Sequence, residues 1–228
     1  MDGVSSKVEW GSSRRDLFEL VVGYVLILAV IWSPHVSQHW LYWVGFAFII
    51  GSSALRRDLW RDSGLGLRGL LPSLWVVVAA LALAALAVMV ARDAGTYHPL
   101  YSPPPFLIHV SGYGIWALLQ QFILQGYVLL RLLRLGLTPR RAVVMAAVMF
   151  TCAHIPNPVL MPLTLVWGLI SCTLFLRYRN LYTLGLAHGI LGICIAVTVP
   201  NAVQHHMRVG LGYIDYHAHP AHQVHHSS

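Results

Sequence analysis

The chain has 228 residues, of which 57% are hydrophobic and only 10% charged, with a mean hydropathy of +0.65. Soluble domains carry about a quarter of their residues as charges, so this composition excludes a soluble globule, a disordered segment, a fibre and a secreted disulfide scaffold. The formal charge of +7 sits in short basic clusters between apolar stretches, a pattern that reports membrane orientation and gives no reason to expect a nucleic-acid partner.

Apolar runs near the roughly 20 residues that cross a bilayer recur at about 17–33, 40–55, 70–91, 111–131, 141–154, 159–176 and 181–199. They predict an all-α, polytopic integral membrane helix bundle of about seven transmembrane helices, with an eighth, re-entrant piece left open. The second and fifth runs are short for a full crossing. The first run has no small-residue cleavage site at Trp32, Ser33 and Pro34, and reads as an anchor. Thirteen of the fifteen Lys and Arg residues fall in alternate connections. The positive-inside rule then puts the amino terminus in the cytoplasm and the tail outside, consistent with an odd number of spans in what is expected to be a bacterial inner membrane. Cys152, Cys172 and Cys194 all lie in apolar runs and read as buried thiols. Three regions follow: residues 1–63 with two helices, a core bundle over 64–203, and a histidine-rich extracytoplasmic tail over 204–228. The tail holds seven histidines, of which His205 and His206 lie nearest the membrane and the later ones suggest adventitious metal affinity.

Polar side chains inside a bilayer are costly, so each one marks a candidate site. Gln121 and Gln125 stand one turn apart on a common helical face, with Gln120 about 100° away. As interhelical hydrogen bonds they would be worth about 0.6–2 kcal/mol each. His154 ends the fifth run, where Pro156 and Pro158 stop the helix. His188 is flanked by Gly185, Gly189 and Gly192, which allow close helix approach around a histidine expected to have a buried partner.

These residues resemble the CPBP family of intramembrane proteases, also called the Abi or type II CAAX prenyl endopeptidase family. The resemblance covers roughly residues 64–200: Gly64 to Arg68 as the basic loop before the core, Gln120, Gln121 and Gln125 at the polar motif, Phe150 to His154 with Asn157 close behind, and His188 with Gly192 at the last motif. It implies a bundle of CPBP type that cuts peptide bonds at or in the membrane, with a membrane-embedded or lipidated peptide as partner beside the bilayer itself. Phe150, Asn157 and Gly192 would then serve the substrate. The chain departs from the family where Glu-Glu-x-x-x-Arg is replaced by Gln120, Gln121 and Gln125, and where Gly192 replaces an Asn or Asp. A Gln amide is no base near neutral pH, and a general base is worth roughly 10²- to 10⁴-fold. The eight carboxylates are Asp2, Glu9, Asp16, Glu19, Asp58, Asp62, Asp93 and Asp215, none of them between residues 94 and 214. Neither Glu19 nor Asp215 is expected to reach the level of Gln120.

Three functions stay open at this point. One is an endopeptidase in which His154 or His188 activates water and Gln120 or Gln121 donates to the oxyanion. Another is a silent relative that binds a membrane peptide or lipidated partner. The last is a metal-dependent enzyme with zinc, iron or copper on His154, His188 and His205 or His206. At 1.5 Å per residue His188 is expected about 10 Å or more deeper than His154, which tests any site that needs both with His205 or His206; a bent or re-entrant fifth segment would close that gap.

Overall fold

A computed structural model of the chain describes residues 10–56, 62–99 and 105–218. All regular structure among the described residues is helical. Helix α1 spans Trp10–Ile31, α2 His35–Leu55 and α3 Leu70–Asp93. The rod α4 begins as Pro105–Gln121, runs through a π-helical stretch at Phe122–Leu129 and ends as Leu130–Arg134. Helices α5 (Pro139–Cys152), α6 (Leu160–Tyr178) and α7 (Leu181–Thr198) complete the bundle, followed by a single turn α8 (Asn201–Gln204) and α9 (Gly210–Ala218). The later histidines of the tail, from His219 onward, lie outside the described residues, as do Arg57 and Arg61 of the second basic cluster.

Among the described residues four helices are long and apolar enough to cross a bilayer: Leu70–Asp93, Ser111–Arg134, Leu160–Tyr178 and Leu181–Thr198. Seven or eight crossings are expected from the sequence; the remaining helices are shorter or more polar. Helix α1 carries Arg14, Arg15, Asp16 and Glu19, and α2 opens on His35, Ser37, Gln38 and His39. Helix α5 has 14 residues, a rise of about 21 Å against about 30 Å of hydrocarbon. Helix α3 shows what bilayer exposure looks like: Leu81, Leu83 and Met89 are all more than half exposed on different sides, as suits a helix solvated by acyl chains.

Helix α7 packs against both α3 and α4, and its glycines set the approach. A Cβ at Gly185 would meet Leu118 Cα at 3.0 Å, and one at Gly189 would meet Gly114 Cα at 3.7 Å. At Gly192 the space for a side chain is filled by the Tyr113 hydroxyl and ring. The start of α7 is bolted to the loop before α3. Asn180 caps the helix by accepting from the Thr183 amide at 3.1 Å, and its amide group donates to the Gly66 carbonyl at 3.1 Å. Leu181 donates to the Gly64 carbonyl at 2.9 Å, and Ser73 shares a 2.9 Å hydrogen bond with Thr183.

The other anchor is ionic. Arg131 has no exposed surface. It donates to the Glu19 carboxylate at 2.8 and 3.2 Å and to the Tyr127 carbonyl at 3.2 Å, with its guanidinium 3.6 Å from the centroid of the Tyr127 ring. Arg56 from α2 reaches Glu19 at 3.1 Å and Asp16 at 2.5 Å, so α1, α2 and α4 share one charge cluster. The Tyr127 hydroxyl donates to the Glu19 carbonyl, and Gly23 leaves it room: a Cβ there would lie 2.5 Å from that hydroxyl. Arg131 therefore does not belong with the loop cations used to read orientation.

Two stability outcomes are expected. Arg131→Met leaves Glu19 with Arg15 and Arg56 alone and lowers unfolding stability by about 1–3 kcal/mol, measured by thermal or denaturant unfolding in detergent. Gly192→Asn costs about 1–3 kcal/mol by overpacking and is rescued by Tyr113→Ala; a Gly192→Asn protein with the wild-type Tm would contradict the packing described.

Candidate active site

The π-helical stretch begins directly after Gln121 and contains Gln125. Its wider turn is marked by the Leu130 amide, which donates to the Gln125 carbonyl five residues back. Such stretches re-aim side chains and recur at functional sites. Here it accompanies two stacked amides: Gln125 Nε2 donates to Gln121 Oε1 at 2.7 Å, and Gln121 Nε2 lies 2.7 Å from His188 Nδ1. Both glutamines are fully buried and His188 is 8% exposed. An amide NH₂ can only donate, so His188 Nδ1 accepts, the ring is neutral, and its proton sits on Nε2.

His154 has the opposite arrangement. It lies just past the end of α5, in a turn where its amide donates to the Thr151 carbonyl at 2.8 Å and its carbonyl accepts from Asn157 at 3.0 Å. The peptide bond between Ile155 and Pro156 is cis. His154 Nδ1 is 2.7 Å from the Phe150 carbonyl, which can only accept, so Nδ1 carries the proton and Nε2 of the neutral ring keeps its lone pair. The Phe150 ring stands edge-on between the two imidazoles, its centroid 4.8 Å from His154 and 5.9 Å from His188. Despite the depth difference expected from straight helices, both imidazoles meet the one Phe150 ring.

His154 and Phe150 line a cavity of about 610 Å³ enclosed by α1, α2, α4 and α5. Gln120 and Tyr24 join them, with His35, Gln38 and His39 from the start of α2. Among the described residues the lining contains no Asp, Glu, Lys or Arg. Of the three glutamines, Gln120 faces the cavity while Gln121 and Gln125 stand behind it with His188. Trp167 was not singled out from sequence, yet its ring centroid lies 6.0 Å from that of His188 and its buried Nε1–H has no partner among the described residues. An unpartnered buried acceptor, Gln125 Oε1, lies in the same group. In a chain rich in exposed tryptophans, composition offered no signal for Trp167.

Asn157 is fully buried and spoken for by the protein. Its Oδ1 accepts from the Val159 and Leu160 amides at 3.0 Å each, starting α6, and its Nδ2 donates to the carbonyls of Gln204 at 2.8 Å and Arg208 at 3.0 Å. His205 packs its ring on Tyr213 and Tyr216, and His206 on Tyr216. His206 is held below the usual imidazole range by partial desolvation, then by Arg208, His98 and His205. Among the described residues no three His, Cys, Asp or Glu side chains are placed to share a metal ion. Between His154 and His188, as hydrogen-bonded, only His154 Nε2 offers a lone pair.

Residues 102–194 match the family model described as type II CAAX prenyl endopeptidase Rce1-like, a narrower stretch than the 64–200 of the motif resemblance. Comparison with curated proteins and with solved structures gives no match. The matched stretch holds every side chain of the histidine and glutamine group and stops before His205. Over residues 102–194 this membrane-helical chain is similar to the type II CAAX prenyl endopeptidases of the Rce1-like family.

Proposed function

We propose that the chain is a membrane endopeptidase that works with a histidine base and no catalytic carboxylate. The observation that carries this reading is the pair of opposed neutral tautomers on either side of Phe150. His154 Nε2 takes a proton from water as the water oxygen bonds to the scissile carbonyl carbon. The carbonyl oxygen becomes the oxyanion and accepts from the Gln120 amide on the cavity wall and, where the peptide reaches past Phe150, from His188 Nε2–H. The carbon–nitrogen bond then breaks, and the His154 imidazolium returns its proton to the leaving amine. Gln121 is occupied by His188 and Gln125, which favours Gln120 for the substrate. Asn157 and Gly192 serve the site through the turn and the helix packing that hold it, and Phe150 as the ring between the histidines.

The substrate best suited to a cavity lined by apolar and neutral polar groups is an uncharged, membrane-embedded peptide segment. Seven spans, an amino terminus in the cytoplasm of a bacterium and an extracytoplasmic tail complete the proposed arrangement. A silent relative that only binds such a segment is the second reading, favoured by the same uncharged lining. A metal on His154 and His188 would need His188 to release Nε2–H, against its hydrogen bond to Gln121.

Cleavage is measured on protein in lipid vesicles with internally quenched peptides, one an apolar transmembrane segment and one bearing a prenylated cysteine. His154→Ala is expected to lower turnover about 10²- to 10⁴-fold; wild-type turnover no faster than that of the variant would leave the silent binder. For the metal, protein ending at Gly212 is expected to hold well under one equivalent of zinc, iron or copper by mass spectrometry. One equivalent that disappears in the His154→Ala, His188→Ala double variant would reverse that conclusion.

A further inference from the structure

A single buried amide beside an imidazole is a two-way element. Turned one way it presents NH₂ and makes Nδ1 an acceptor; turned the other way it presents oxygen and draws the proton onto Nδ1. The proposed function uses His188 as a donor through Nε2–H, so something must set which way Gln121 faces. Gln125 stands one turn further along the same rod, fully buried, and donates to Gln121 Oε1 at 2.7 Å. With its oxygen engaged, Gln121 has only its NH₂ for His188, at 2.7 Å. We infer that Gln125 and Gln121 form an amide relay that holds His188 in the Nε2–H tautomer, making Gln125 a positioning residue that acts on the site without touching substrate.

The relay explains why glutamine at 121 differs from glutamate in kind and not only in charge. A carboxylate at 121 has no proton to give, so it would accept from Nδ1–H and leave Nε2 either bare or part of an imidazolium. An amide whose oxygen is already occupied imposes the reverse. The lone pair for water activation then belongs to His154 alone for as long as both amides keep this direction. The π-helical stretch contributes by carrying Gln125 within the segment that directly follows Gln121. No charged side chain hydrogen-bonds to any member of the relay among the described residues, so orientation is set by hydrogen bonding and not by a nearby ion.

This inference rests on the peptidase reading for its consequence but not for its test. The full chain, labelled with ¹⁵N-histidine and placed in lipid bilayers, is studied by solid-state NMR, with the His188 signals assigned by their loss in His188→Gln. The expected wild-type spectrum shows His188 protonated at Nε2 and bare at Nδ1. Gln121→Glu is expected to move a proton onto Nδ1, and Gln125→Leu to give a mixture of the two tautomers. A wild-type ring protonated at Nδ1 would overturn the relay without reference to any variant, and so decides the matter even if a variant fails to fold. A Gln125→Leu spectrum identical to wild type would remove Gln125 from it. In the cleavage assay Gln125→Leu is expected to lower kcat about tenfold with KM unchanged, as removal of a donor used only in the transition state requires; a rise in KM with kcat preserved would contradict the assigned role. An Nε2–H spectrum in a protein that cuts neither peptide leaves the relay standing and the peptidase reading refuted.

Discussion

An arginine with no exposed surface inside an apolar helix bundle has to be answered by the protein, because neither acyl chains nor water will do it. Glu19 answers Arg131, Arg56 answers Glu19 and Asp16, and the three helices carrying these groups are thereby held in one register. Tyr127 closes the arrangement from both directions, lying under the guanidinium and donating to the Glu19 backbone. The cluster and the glutamine relay lie on the same rod, α4, with the π-helical stretch between Gln121 and Arg131. Whatever fixes Arg131 also fixes the rotation of that rod, and with it the face on which the glutamines meet α7.

Along the rod the chemistry changes character. One end is ionic and accounts for Glu19, the carboxylate of the first helix. The other end is neutral throughout: three amides, two imidazoles of opposite tautomer, a phenyl ring between them and an indole N–H. In a medium of low dielectric a neutral site avoids the desolvation cost of a buried carboxylate and still offers directed donors and one lone pair. A network of this kind depends on direction: each hydrogen bond has to run the right way for the next group to have its proton in the useful place.

Much of this was legible from residue type and spacing. The four-residue interval between Gln121 and Gln125 put them on one face, and the glycines around His188 announced a close neighbour, which is α4. Intramembrane polarity marked the group, and the motif spacing matched a family over residues 102–194. What stayed hidden is what depends on irregular backbone. A straight-helix reading separates His154 from His188 in depth, and a bend that would bring them nearer stayed open; α5 stops after 14 residues and both rings meet Phe150. Arg131 read as a loop cation, although Glu19, an acid near the end of an otherwise apolar run, was the signal that a buried cation must exist. Tyr113 and Trp167 carried no signal, since an aromatic residue in a membrane helix is ordinary until its neighbours are known.

The turn that bears His154 is held from an unexpected quarter. Asn157 grips the backbone at Gln204 and Arg208, and the Gly210 amide donates to the Ile155 carbonyl at 2.8 Å. All three partners lie beyond residue 194, outside the stretch that matches the family. The matched stretch is therefore not a self-sufficient module. A graft of residues 102–194 into another bundle would carry every histidine and glutamine of the group and leave behind the latch that keeps the imidazole in its place.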